Sequence, residues 1–176
     1  LFAHAHPMLT RGGAQQGAHD LFRSVRRRPD HEALLVAAHS GLQPAGSPYR
    51  LLAENEILWL RDKEHSKYFS LPEKPETIKG LRQILAAYRP DVVHFQHFQH
   101  PGLEVIRIVK NELPGVPVVL TLHEFLAICA NCGQMVKAQD QQLCLKGSPL
   151  ACSICFPETS TKEFFLREQF IKSHFN

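Results

Sequence analysis

Five cysteines and eleven histidines carry most of the chemical capacity of this 176-residue sequence. All five cysteines fall within residues 129–155: Cys129, Cys132, Cys144, Cys152 and Cys155. Two Cys-x2-Cys pairs bracket the window, and pairs at that spacing can each give two thiolates to a tetrahedral zinc ion. Five sulfurs exceed four ligands, and spacing leaves open whether Cys132 or Cys144 is the spare. An iron–sulfur cluster would use the same thiolates. No partner redox chemistry is visible, so a closed structural zinc is expected. Reduced cysteines without metal are the plain alternative.

The histidines His94, His97 and His100 recur at the end of an apolar run. On a strand, His94 and His100 share one face and His97 takes the other, an awkward geometry for a single ion. His97 and Phe98 are instead expected to reach into a cleft, where imidazole can hydrogen-bond a sugar hydroxyl and a ring can stack on a sugar face. A histidine beside a strand is more often a satisfied polar group. His123-Glu124 directly follows the run Val118–Leu122. His123 can hydrogen-bond a hydroxyl or phosphate, and Glu124 can orient the imidazole or cap the next turn. Gly12-Gly13 precede a helical pattern, where they permit close backbone approach and leave the first N–H groups open to an anion. The spacing is not GxGxxG, no Walker lysine is present, and a plain tight turn would also use glycine.

Elements must position these groups. The pattern predicts a strand over Leu1–His6, a helix over Ala14–Arg28 stopped by Pro29, and a buried strand over Ala33–Ala38. Residues 39–50 read as a loop, Ile57–Leu60 as a short strand, and 62–75 as a surface loop. A helix over Pro75–Tyr88, a strand over Asp91–Phe95 and a helix over Gly102–Leu113 follow. Pro117–Leu122 is the best strand candidate in the sequence. The cysteine window has little periodicity, and Thr161–Phe175 resumes a helix with Thr161 as its N-cap. This alternation predicts an α/β fold, a parallel sheet with helices on both faces. Ligands of such sheets bind beyond the strand C-terminal ends. The loops Ala5–Gly13, His94–Gly102 and the chain from His123 onward fall there.

Composition narrows the class. Hydrophobic residues are 44% and charged residues 21%, within the globular range and unlike disorder. The net charge of +3 is too small for a dedicated nucleic-acid binder. No apolar run reaches the roughly 18 residues of a membrane span, and the start lacks the features of a secretory signal. A cytoplasmic protein without a nucleic-acid partner is expected.

Several segments together resemble family-4 glycosyltransferases. His6-Pro7 followed by Gly12-Gly13-Ala14-Gln15 resembles their N-terminal glycine loop, with Gln15 where Glu is common. Arg89-Pro90-Asp91-Val92-Val93-His94-Phe95-Gln96-His97 resembles their PDVVHxHH strand. Thr121-Leu122-His123-Glu124-Phe125 resembles their TLHD turn, with Glu124 for the usual Asp. Ile128 to Cys155, including Gly133-Gln134-Met135-Val136, resembles a cysteine-containing insert of a subset of these enzymes.

The resemblance implies a GT-B enzyme of two Rossmann-like domains that retains anomeric configuration, uses a nucleotide-sugar donor and needs no catalytic metal. Residues 1–176 would be its N-terminal, acceptor-side domain with a Cys-rich loop insert over 128–157. The donor domain would be missing, and this piece inactive without it. Gly12 and Gly13 would approach the donor diphosphate, His123 would contact the donor sugar as the catalytic residue, and His97, Phe98 and Glu124 would bind substrate. The subset pattern implies Cys129, Cys144, Cys152 and Cys155 as zinc ligands, leaving Cys132 over. The acceptor, whether glycan, lipid or small molecule, is unspecified, and peripheral membrane contact is a further partner left open. Two competing expectations are a stand-alone zinc-stabilised module binding carbohydrate or protein, and a redox protein using Cys152-x2-Cys155.

Overall fold

The computed structural model describes residues 1–40, 46–61 and 74–175. The chain divides into two compact units, Leu1–Thr121 and Leu122–Asn176. The second unit thus begins ahead of the expected insert and includes the last helix.

The first unit is built on a six-stranded sheet. Its strands are β1 (Phe2–Ala3), β2 (Leu35–Ser40), β3 (Tyr49–Ala53), β4 (Glu56–Arg61), β5 (Val93–Phe95) and β6 (Val118–Leu120). Their order is β3-β4-β2-β1-β5-β6, parallel throughout except for β3, which runs antiparallel to β4. Three helices connect them: α1 (Gly13–Arg26), α2 (Pro75–Tyr88) and α3 (Leu103–Glu112). The chain steps from β1 to β2 in one direction and from β4 back to β5 and β6 in the other. Right-handed crossovers then put α1 on one face and α2 and α3 on the opposite one.

Burial agrees with this layering. Ala18 and Phe22 of α1 pack with Ala3, Leu35 and Ala37, which share one face of the sheet. Phe2 and Val36 point the other way and are equally buried, so β1 and β2 are covered on both sides. That explains the unbroken apolar run in β2. Phe2 stacks on Phe95 with centroids 4.7 Å apart, joining β1 to β5.

The structure departs from the expected elements where exposure hides the pattern. The expected loop over 39–50 ends inside a strand that the pattern did not predict: Tyr49–Ala53 forms the edge strand β3, mostly exposed and so without the alternation of a half-buried strand. A turn through Asn55, at φ 59, returns the chain to β4, and Asn tolerates that left-handed conformation well. The sheet is therefore mixed at this edge. Pro117–Leu122 shortens to the three residues of β6, with Val119 half-exposed. The surface loop expected over 62–75 falls mainly on residues 62–73, outside the described residues.

The second unit holds two helices, α4 (Pro149–Cys155) and α5 (Thr161–Phe175). The cysteine window was expected to be a loop. It contains α4 and a tight hairpin, in which Val136 bridges Leu143 and Cys144 N–H donates to Met135 O at 2.8 Å. Ser148 caps α4 by accepting from Ala151 N–H. The N-cap of α5 is Ser160, not Thr161. Its Oγ accepts from Glu163 N–H at 3.2 Å while Glu163 Oε2 accepts from Ser160 N–H at 3.0 Å. This reciprocal pair is a capping box, and Thr161 is simply the first helical residue.

Candidate functional site

In the first unit the order of strand addition reverses between the parallel neighbours β1 and β5, and a crevice opens beyond the strand ends at such a switch. The loops after these two strands meet there. The His4 ring lies 5.3 Å from that of His97 and 5.8 Å from that of His100. The 97–101 loop is anchored from the neighbouring strands. His100 Nδ1 pairs with Ser40 Oγ at 3.2 Å, and Arg61 donates to the carbonyls of His100 and Pro101 at 2.6 Å each. Arg61 itself lies over the Trp59 ring at 4.3 Å, a cation–π contact that holds the guanidinium in place.

His97 and Phe98 were expected to line a cleft. Both are buried instead: Phe98 is a core ring beside His97, and His97 Nδ1 accepts from Gln99 N–H at 2.7 Å. An aromatic residue closing a strand end gains more from apolar burial than from exposure. They shape the loop from beneath. His94 is likewise tied down, its Nε2 2.8 Å from Thr121 Oγ1.

The glycine loop has the opposite character. Gly12 and Gly13 are exposed, α1 has no side-chain cap at Gly12, and its first turn carries no acidic residue. A Cβ added at Gly13 would meet nothing within 4 Å. The first N–H groups and the positive end of the helix dipole therefore face open space, the ingredients of an anion site. At Gly12 the nearest obstacle is the flexible end of Gln15.

One constellation in this unit was not singled out from sequence. His6 Nε2 lies 2.6 Å and His19 Nε2 3.4 Å from the same oxygen, Glu56 Oε2. No spacing rule links residues 6, 19 and 56. The available hint was a glutamate opening a strand beside apolar neighbours.

In the second unit, His123 is exposed and Glu124 half-buried. Gly133 buttresses the turn that follows them. Its φ is +73, its carbonyl accepts from Phe125 N–H at 3.3 Å, and an added Cβ would lie 2.6 Å from both Glu124 Cγ and Leu126 N. Only glycine fits there. From α5, Arg167 donates to Leu126 O at 2.6 Å.

Cys129, Cys144, Cys152 and Cys155 line one cavity of about 450 Å³, whereas Cys132 is exposed and outside its lining. Burial pushes the Cys152 thiol above its ordinary pKa. A hydrogen bond from Ser148 and the Arg167 charge oppose that rise, and Cys144 and Cys129 add to it. Burial lowers the Arg167 pKa, and Cys152 and Cys129 pull it back up. Ala138 N–H donates to Cys155 Sγ at 3.1 Å. Among the described residues no three of these sulfurs lie within 4.8 Å of one another. The donor set suits a thiophilic ion, and closing on one requires side-chain rotation into the cavity.

The sequence matches the family described as Glycosyltransferase Family 4 over residues 11–144. The chain belongs to that family, and its function is of the glycosyltransferase type. Its mostly parallel sheet agrees with the Rossmann-like N-terminal domain of the GT-B architecture. No curated protein and no solved structure matches the chain. Among the described residues no helix is long and apolar enough to cross a membrane.

Proposed function

We propose that this chain is the acceptor-side half of a retaining glycosyltransferase that moves a sugar from a nucleotide-sugar donor held by a second domain. The observation that carries this reading is the open N-terminus of α1, uncapped and free of acidic residues, with free space beside Gly13. Backbone donors so placed suit a diphosphate leaving group, whose negative charge grows as the glycosidic bond breaks. They need no rearrangement at that moment, because the helix already fixes them. His123, exposed and preceding a turn that Gly133 holds rigid, would hydrogen-bond the donor sugar. Glu124 would keep that imidazole oriented.

Cys129, Cys144, Cys152 and Cys155 would hold a structural zinc. The ion would supply a cross-link rather than chemistry, with Arg167 offsetting thiolate charge. Transfer itself would proceed without a catalytic metal. In the intact enzyme, His123→Ala should lower transfer by about 100-fold or more while leaving the melting temperature unchanged. A parallel loss of folding would make His123 structural and remove it from the reaction.

A further inference from the structure

His6, His19 and Glu56 reach one point from three elements: the turn after β1, the middle of α1 and the first residue of β4. Glu56 is paired with Leu35 in the sheet register, so both side chains point to the face that α1 covers. A carboxylate there loses most of its water. The Glu56 side chain is 15% exposed and that of His6 only 1%. Its ion-pair partners among the described residues are the two imidazoles, His6 and His19. With both rings neutral, a buried negative charge is left that hydrogen bonds alone must stabilise.

We propose that this triad binds one Zn2+ through His6 Nε2, His19 Nε2 and a Glu56 carboxylate oxygen, with water completing the shell. Two imidazoles and a carboxylate are a donor set that zinc favours, and three protein ligands leave a fourth position open. The three ligand atoms already lie within 4.8 Å of one another. In a tetrahedral zinc site with bonds near 2.0–2.1 Å, ligand atoms stand about 3.4 Å apart. His19 and Glu56 have that separation of 3.4 Å now. His6 and Glu56, at 2.6 Å, must part by about 0.8 Å to admit the ion.

The protons can be followed. His6 Nδ1 accepts from Met8 N–H at 3.3 Å, so its own proton sits on Nε2 and is donated to Glu56. Zinc takes the Nε2 lone pair, and the proton moves to Nδ1. The long Met8 contact is given up and the ring turns slightly to relieve it. His19 binds as its Nδ1–H tautomer, and Glu56 stays ionised. No net proton is released from neutral rings. Leu9 and Thr10 N–H both donate to His6 O, so the ion would lock the turn leading to Gly12 onto α1 and β4. The site stands apart from the glycosyl-transfer reading and survives if that reading fails.

The test uses the full chain, stripped of metal, titrated with Zn2+ by calorimetry and with Co2+ by absorption. Cobalt at the cysteines gives intense sulfur-to-metal charge-transfer bands, whereas cobalt at His6, His19 and Glu56 gives only weaker ligand-field bands. A cobalt equivalent without thiolate bands is expected, and it should bind at least about 100-fold more weakly in His19→Ala and in Glu56→Gln. His19 lies on a helix and alanine favours helices, so that variant carries the test if Glu56→Gln does not fold, with circular dichroism as the check. Exclusively thiolate-bound cobalt in the folded wild-type chain would overturn the proposal. So would unchanged affinity in folded His19→Ala.

Discussion

The two units of this chain are held by different physics. In Leu1–Thr121, Phe22, Leu35, Ala37, Trp59 and Phe95 are closed to water and the central strands β1 and β2 are packed on both faces. Among the described residues of Leu122–Asn176 the buried apolar ones are Leu126, Cys129, Phe164 and Ile171, α4 buries none, and Leu143, Leu145, Leu150 and Ile154 stand exposed. Turns, a hairpin and two capped helices supply local order there. A segment this small closes only a marginal core against its chain entropy and commonly relies on a staple. The contrast locates stability in apolar packing for the first unit and shows little such packing in the second, which the proposed zinc at its cysteines would compensate. The candidate residues differ in the same way: the glycine loop of the first unit rests on a packed scaffold, and His123 of the second lies ahead of a turn that one glycine shapes.

The contrast breaks first, and most visibly, on removing metal. Purified chain should hold zinc at the cysteines. A strong chelator should erase amide-exchange protection across α4 and the hairpin while β1, β2 and β5 keep theirs. Equal protection with and without chelator, in protein whose five thiols titrate freely, would place the second unit's stability elsewhere. Phe22→Ala strikes the other side. It should cost about 3–5 kcal/mol, read as a lower denaturant midpoint for the sheet signals. Loss of protection in the hairpin to the same extent would mean that the units unfold as one. Gly133→Ala is the finest probe, at about 1–3 kcal/mol from its positive φ and close backbone neighbours. Its effect should appear in the exchange of the 123–133 turn before any other region.

Much of the first unit was legible in the sequence because burial writes a period into it. α2 spans Pro75–Tyr88 as the apolar stripe and proline start predict, and α3 differs by one residue at each end. β2 shifted by two residues, since its apolar run begins before the ladder does. Where residues face water the record fades, which is why β3 was missed and β6 overrated. Ser160-x-x-Glu163 was readable as a capping box and outweighs the threonine beside it. Gly12-Gly13 and His123-Glu124 were picked out as candidates by residue type and place, and the exposure of Gly12, Gly13 and His123 came from the structure. The burial of His97 and Phe98 was not, because a ring at a strand end reads alike whether it faces a cleft or the core.

Sequence by itself determined the alternation of elements, the family of the chain and the gathering of five cysteines in one stretch. These are local or ordered along the chain, so spacing encodes them. Tertiary structure alone decided that His6, His19 and Glu56 share one carboxylate oxygen, that His4 meets His97 and His100, and that Cys132 stands outside the cavity the other four line. Each depends on strand order and crossover hand, which bring distant residues within a few ångströms and leave no periodic trace in the residues themselves.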